Sequence, residues 1–157
     1  NYVDLRDVRE ESAIEVDVDI ILNGQTNSYI QSLVSKIEDH IKQGNDVIVY
    51  TSRKLISGKD TTSNINIASK ISNSLVAIIK GIQVRPKYVL AKGGITSHDI
   101  ATKGLGMKRS KVLGQIESGI PVWSMGKETK FPELLYIVFP GNVGNEDSLL
   151  TIIQKLN

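Results

Sequence analysis

The feature that most constrains the fold of this sequence is an alternation of short apolar segments with longer amphipathic ones. Residues 46–50, 87–91 and 135–139 are compact runs rich in Val, Ile, Leu and Tyr. Runs of this length and composition are typical of strands that are covered on both faces. Residues 28–43 and 64–80 instead repeat apolar side chains at helical spacing, and a glycine follows each segment. Strands separated by crossover helices predict a mainly parallel sheet.

Weaker patterns complete the predicted order. Residues 2–5 indicate the end of a strand, and residues 14–22 alternate apolar and mostly acidic side chains, which predicts a half-exposed strand or extended segment. Residues 112–123 are β-rich but irregular, which allows a hairpin at one edge, and residues 147–156 predict a final helix. The sequence therefore predicts an α/β protein, a three-layer Rossmann-like sandwich with a mainly parallel sheet and an irregular β-rich insertion.

Composition limits the classes of protein that need to be considered. The chain has 157 residues, 40% of them hydrophobic, which suits one domain with a sizeable core. A net charge of +2 is too small to indicate a nucleic-acid partner. No apolar run approaches the roughly 20 residues that a membrane helix needs, and no signal peptide is visible. Because cysteine is absent, disulfides, thiolate nucleophiles and cysteine-based zinc sites are excluded, and a cytoplasmic location is predicted.

Candidate binding residues follow the predicted strands, because ligands of open parallel sheets bind beyond the carboxyl ends of the strands. Three such segments contain polar residues or glycines, at residues 51–53, 92–97 and 140–144. In the second segment, Gly93 and Gly94 stand where the chain turns from strand to helix. Without Cβ atoms, these two residues permit unusual dihedral angles and allow an anion to approach the backbone closely.

The residues after the Gly-Gly pair predict the start of a helix. Thr96 and Asp99 have the spacing of a capping box, with Asp in place of the usual Glu or Gln, so the helix is expected to begin near Ser97. Unpaired amides and the positive end of the helix dipole would then face a phosphate. Lys92 could add a cation, and Ser97 a hydroxyl donor.

The third segment predicts a second contact with the same ligand. Gly141 and Asn142 follow the strand at residues 135–139, and Asn145 is a candidate cap for the final helix. The acids Glu146 and Asp147 in the first turn of that helix compete with an external anion. Gly141 and Asn142 are therefore interpreted as a surface that contacts the sugar or base of a nucleotide.

Alternatives remain open from the residues alone. A strand, two glycines and a helix also occur in α/β proteins without a ligand, and the phosphate fingerprint G-x-x-x-x-G-K-[ST] is absent. Trp123 is either an adenine-stacking residue or, as single tryptophans more often are, a packing residue. The basic run at residues 108–111 could steer ATP or could be a solvated face. Arg53 could close over phosphate, and a surface role is equally compatible.

Several blocks, taken together and in order, resemble one family. They are RPKYVLAKGGITS at residues 85–97, ATKGLG at 101–106, VLGQI at 112–116, GIPVW at 119–123 and FPGNVG at 139–144, with VYTSR at 49–53. This set resembles the four-carbon acid sugar kinases. The resemblance implies transfer of the γ-phosphate of ATP to a hydroxyl of threonate, erythronate or 3-oxo-tetronate. It also implies an N-terminal domain for the sugar acid and a C-terminal domain for the nucleotide, and this chain resembles the latter.

The resemblance also implies the ligands and the site. ATP and Mg²⁺ are the expected cofactors, without assigned Mg²⁺ ligands or catalytic residues in this chain. No nucleic acid and no membrane are expected as partners, and a homo-oligomer is left open. The predicted nucleotide-binding residues are Gly93, Gly94, Ile95, Thr96, Ser97, Gly141 and Asn142.

We expect residues 1–157 to form a single nucleotide-binding domain, a C-terminal fragment of a two-domain kinase. Two elements of the family pattern are not in the chain, namely a Gly-Ser-rich strand exit expected before Asn1 and the Asp-Asp-x-Thr-Gly-Ala segment of the sugar-acid domain. The fragment by itself is therefore expected to be inactive as a kinase. The alternative function is a non-catalytic module that senses a phosphorylated metabolite through the same turn.

Overall fold

The computed structural model describes residues 12–24, 26–52 and 61–157. They form a mixed α/β fold with open, partly parallel sheets, so the predicted fold class is confirmed. The chain divides into two compact units, which meet in sequence between Arg85 and Pro86. The predicted strand at residues 2–5 and the candidate Arg53 lie outside the described residues. No helix within the described ranges is long and apolar enough to cross a membrane.

The first unit is a parallel strand pair with three helices. Strands β1 and β2 pair in parallel, with Ala13 opposite Ile48 and Val16 opposite Thr51. Two helices supply the long connection between these parallel strands, as the alternating pattern of strands and helices predicts. The elements are β1 (Ala13–Val16), α1 (Val18–Leu22), α2 (Thr26–Lys42), β2 (Ile48–Thr51) and α3 (Thr61–Gly81).

The predicted extended segment at residues 14–22 is only half correct. The strand ends at Val16 and helix α1 begins at Val18. The carboxylate of Asp17 accepts hydrogen bonds from the amides of Asp19 at 2.8 Å and Ile20 at 3.4 Å. Asp17 is thus an N-cap, and its side chain replaces the acceptors that the first helical amides lack. Because the alternation of apolar residues continues past Asp17, the sequence pattern did not indicate that a helix begins there.

The second unit contains the site and is built on a mixed sheet of four strands in the order β3-β6-β5-β4. Strands β3 and β6 are parallel, whereas β5 is antiparallel to both of its neighbours. The irregular β-rich stretch is the β4–β5 hairpin at one edge of this sheet, as the sequence suggested. The elements are β3 (Tyr88–Lys92), α4 (Gly94–Asp99) with a π-helical continuation (Ile100–Gly104), β4 (Ser110–Glu117), β5 (Ile120–Met125), β6 (Leu135–Phe139) and α5 (Ser148–Leu156).

The core of the second unit lies between the sheet and helix α5. Its fully buried residues are Ile120, Ile137 and Phe139 from the sheet and Ile152 from α5. Because all four are apolar and exclude water, their burial contributes a large share of the stability of this unit. This packing holds β6, and with it the turn that follows Phe139, in a fixed position.

Candidate functional site

The two predicted glycine turns lie side by side. In the parallel pair of β3 and β6, Lys92 is opposite Phe139, so both strands end at the same edge of the sheet. The amide of Gly93 donates a hydrogen bond to the carbonyl oxygen of Phe139 at 2.8 Å. The first residue of the turn at Gly93 is therefore hydrogen-bonded to the residue that directly precedes the turn at Pro140.

Gly93 has a backbone conformation that only glycine adopts readily. Its φ is 97° and its ψ is 142°, and it is the N-cap of helix α4, which begins at Gly94. A Cβ atom in this region of the Ramachandran plot clashes with the neighbouring peptide groups. The glycine therefore allows the chain to pass from strand to helix without an intervening loop.

The start of α4 leaves three backbone amides available. The first intrahelical hydrogen bond runs from the amide of Ser97 to the carbonyl of Gly93 at 2.9 Å. No side chain caps this end of the helix. The amides of Gly94, Ile95 and Thr96 thus have no acceptor within the helix or from a capping side chain. With the helix dipole, they form a region of positive potential.

The predicted helix start near Ser97 and the capping box are wrong. Helix α4 begins three residues earlier, at Gly94, so Thr96 lies within the helix and is not its N-cap. The Asp99 carboxylate forms an ion pair with Lys103 at 2.8 Å. The local spacing was misleading because the glycine conformation at Gly93 starts the helix directly.

Ser97, the predicted hydroxyl donor to the ligand, uses its hydroxyl within the protein. Its hydroxyl donates to the carbonyl of Ala91 at 2.8 Å, and the residue is only 3% exposed. Its amide is used within the helix. Ser97 therefore fastens α4 to the end of β3, and the available donors of this turn are backbone amides of the three preceding residues.

A buried tyrosine holds α4 from the neighbouring strand. The hydroxyl of Tyr136 in β6 donates to the carbonyl of Ser97 at 2.7 Å. Burial raises the pKa of the Tyr136 phenol, which keeps it protonated as a donor. Trp123 stacks on Tyr136 with ring centroids 6.3 Å apart. Of the two alternatives for Trp123, packing is the one that the structure shows.

Backbone conformation and packing account for some of the glycines in the two turns but not for others. A Cβ atom at Gly94 or Gly141 would meet nothing within 4 Å, and neither residue has a positive φ. At Gly144, by contrast, φ is 85° and a Cβ atom would lie 2.9 Å from the Phe139 ring. The fold therefore explains the glycine at position 144 but not at positions 94 and 141, whose exposed faces are open to a ligand.

The second turn is shaped by its own side chains. The Asn145 carboxamide oxygen accepts hydrogen bonds from the amide of Asp147 and the hydroxyl of Ser148, both at 3.0 Å. Asn145 therefore supports the turn in front of α5, whose N-cap is Asp147 and not the predicted Asn145. Gly141 and Asn142 precede this turn and are exposed at the sheet edge.

The basic run at residues 108–111 has a structural partner. The Glu128 carboxylate accepts hydrogen bonds from the amides of Lys108 and Arg109, each at 3.0 Å. It also lies 3.5 Å from the Arg109 guanidinium nitrogen Nε. Hydrogen bonds from its own amide and from that of Lys108 are the main causes that lower the pKa of Glu128. This contact fastens the start of β4 to the loop before β6.

A metal site is not formed by this chain's described residues alone. Within residues 12–24, 26–52 and 61–157, no group of three or more His, Asp or Glu side chains could hold a metal ion.

An open α/β fold whose adjacent parallel strands end in glycine turns is typical of nucleotide-binding and phosphate-binding proteins. The sequence model of one family matches residues 4–149. The chain belongs to that family, the nucleotide-binding C-terminal domain. The search of curated proteins found no significant match.

Solved structures share the fold over nearly the whole chain. Haemophilus influenzae protein HI1011, of the DUF1537 family, is 19% identical with a TM-score of 0.70, and the match covers 92% of this chain and 34% of that one. A DUF1537 domain of unknown function from Bordetella bronchiseptica, with bound citrate and in a domain-swapped dimer, is 14% identical with a TM-score of 0.60 and coverages of 92% and 35%. A Salmonella typhimurium LT2 protein, provisionally named a tRNA synthase, is 13% identical with a TM-score of 0.64 and the same coverages. The chain thus spans about a third of the length of these relatives.

Proposed function

We propose that this chain is the ATP-binding domain of a kinase that phosphorylates a hydroxyl group of a four-carbon sugar acid. The observation that carries the proposal is the uncapped start of α4, with the amides of Gly94, Ile95 and Thr96 at the carboxyl edge of β3. The match to a nucleotide-binding family supports a nucleotide as the ligand.

The open glycine positions support this site independently of the amides. Because a Cβ atom at Gly94 or Gly141 would meet no protein atom within 4 Å, packing does not require glycine at either position. A ligand that lies directly against the backbone does require it. In this proposal the phosphates lie against Gly94, and the sugar or base lies against Gly141 and Asn142. Both turns start from hydrogen-bonded neighbours, so one nucleotide can reach them together.

The chemistry proposed for the longer protein is phosphoryl transfer. A hydroxyl oxygen of the sugar acid attacks the γ-phosphorus of ATP, the bond to the ADP oxygen breaks, and the hydroxyl proton passes to a base. Such a reaction depends mainly on alignment and on the stabilisation of negative charge, which uncapped amides supply. This chain spans about a third of the length of its structural relatives. In this proposal, the base and the sugar-acid site lie in the remaining two thirds.

The identity of the substrate rests on the motif resemblance at residues 85–97 and 139–144. The citrate bound to the Bordetella relative supports a carboxylate ligand in this family. The domain-swapped dimer of that relative likewise supports a homo-oligomer as the assembly. Phosphorylation of threonate, erythronate or 3-oxo-tetronate is therefore the specific activity proposed.

The nucleotide site is tested with Gly94→Val. The added side chain enters open space, so the fold should persist while the branched carbon blocks the phosphates. Isothermal titration calorimetry with ATP should show at least a roughly hundredfold weaker affinity, since several charge-assisted hydrogen bonds are lost. Asn27→Val, an exposed position in the first turn of α2, is the matched control and should bind as the wild type does. Unchanged ATP affinity in the Gly94 variant would exclude this site.

The kinase activity is tested in the full-length protein with ATP and a panel of four-carbon acids. Release of ADP together with a phosphorylated acid is the expected result. A protein that binds phosphorylated metabolites but transfers no phosphate would instead support the sensing module.

A further inference from the structure

Lys92 places a cation at the sheet edge from which the two turns start. It is the last residue of β3 and stands opposite Phe139, the last residue of β6. Its ammonium nitrogen lies 3.7 Å from the centroid of the Phe139 ring. Phe139 itself is only 1% exposed. A rigid, buried aromatic ring therefore holds the ammonium group at the sheet edge through a cation–π contact.

The position of this side chain follows from the alternation along β3. Side chains two residues apart in a strand share a face, so Lys92 lies on the face of Tyr88 and Leu90. Those two residues pack against the core beneath α5. Lys92 is the next residue on this face and the last paired residue of β3. An apolar side chain at this position would extend the core, but the side chain is instead positively charged and lies at the sheet edge from which both turns start.

The charge of Lys92 is incompletely compensated. No carboxylate forms an ion pair with it in the described part of the chain. Partial burial lowers the pKa of its ammonium group. Lys103, by contrast, forms an ion pair with Asp99. A cation at the sheet edge that pairs with no carboxylate of the described residues can form an ion pair with an anionic ligand.

We propose that Lys92 neutralises a phosphate group of the bound nucleotide and thereby selects nucleoside di- and triphosphates over nucleosides. This inference rests on the proposed nucleotide site. The amides of α4 bind phosphate oxygens as neutral donors, and Lys92 adds the formal charge that discriminates by phosphate number. Phe139 holds the ammonium group in place, which lowers the entropy that a flexible lysine loses on binding.

The test compares ligands of increasing charge in one titration series. Wild type, Lys92→Met, Lys92→Gln and Lys92→Arg are titrated calorimetrically with adenosine, AMP, ADP and ATP. The two neutral variants should lose about tenfold to a hundredfold in ATP affinity, as for a hydrogen bond to a charged group, and should bind adenosine as the wild type does. The arginine variant should retain most of the ATP affinity, and the salt dependence of ATP binding should be smaller in the neutral variants.

The controls distinguish a failure of the Lys92 proposal from a failure of the proposed nucleotide site. Lys36→Met removes one positive charge at an exposed position of α2 and should leave all four affinities unchanged. If the wild type binds ATP but the neutral variants bind it equally well, or lose adenosine and ATP affinity to the same extent, the role of Lys92 is excluded while the site stands. If the wild type binds none of the four ligands, the proposed function fails and this inference fails with it.

Discussion

The amide of Gly93 donates to the carbonyl oxygen of Phe139 at 2.8 Å, which extends the β3–β6 pairing into the first residue of the turn. This bond joins two segments that are separated by 46 positions in sequence (139 − 93). Because β6 is buried, the bond fixes the turn before any ligand binds. A preformed arrangement of amides lowers the entropy that phosphate binding costs.

The two adjacent glycines should respond differently to alanine. Gly93→Ala should lower the free energy of unfolding by about 1–3 kcal/mol, because its dihedral angles lie in a region restricted to glycine. Gly94→Ala should change it by less than about 1 kcal/mol, since the added Cβ atom meets no neighbour within 4 Å. Urea denaturation of both variants measures the difference. Equal stabilities would show that the φ of 97° at Gly93 is not required.

Ser97→Ala should weaken the fold rather than the binding of ATP. It removes the buried hydrogen bond from the Ser97 hydroxyl to the Ala91 carbonyl and should cost about 0.5–1.5 kcal/mol. ATP affinity should change by less than about threefold, since the lost hydroxyl points into the protein. Denaturation and calorimetry on the same sample test both parts. Loss of ATP affinity at unchanged stability would restore Ser97 as a direct ligand contact.

Tyr136→Phe should lower the free energy of unfolding at neutral pH. It should also make the loss of stability at alkaline pH smaller than in the wild type. The variant loses the hydrogen bond to the Ser97 carbonyl, which costs about 0.5–1.5 kcal/mol. In the wild type, burial raises the pKa of Tyr136 above its usual 10.0. The unfolded chain therefore releases this proton at lower pH than the folded protein does, and stability falls as pH rises above about 10.

The Tyr136 prediction is measured by chemical denaturation at neutral pH and at about pH 11. The difference in unfolding free energy between the two pH values should be smaller in the phenylalanine variant than in the wild type. The other tyrosines remain in both proteins and serve as an internal reference. An identical alkaline decline would contradict the assignment of a buried, protonated phenol at this position.

Asp17→Ala should destabilise the first unit through its helix cap. The Asp17 carboxylate accepts the amides of Asp19 and Ile20, and loss of such a cap costs about 0.5–2 kcal/mol. Asp39→Ala is the matched control, because the Asp39 side chain is exposed and lies 3.9 Å from Lys42 in a weak ion pair. Thermal denaturation of the two variants should show a clear shift only for Asp17. Equal shifts would argue against the cap.

Much of the secondary structure could be predicted because burial leaves a periodic pattern. Strand β6 matches the predicted Leu135–Phe139, since a strand covered on both faces needs an uninterrupted apolar run. Helix α2 was located to within two residues at each end by its apolar stripe. At Asp17 the prediction failed because the alternation of apolar residues runs past the cap and into α1.

The nature of the candidate site follows from residue types alone: glycines directly after apolar strands mark turns where a phosphate can approach the backbone. The sequence could not show that β3 and β6 are neighbours, because that pairing depends on a sheet order that places β5 and β4 beyond β6. Nor could it show where α4 begins, because hydrogen bonds to the distant Tyr136 and Phe139 hold the helix and its turn in place. Local composition specifies the elements, but contacts between residues far apart in the chain decide which amides remain available to a ligand.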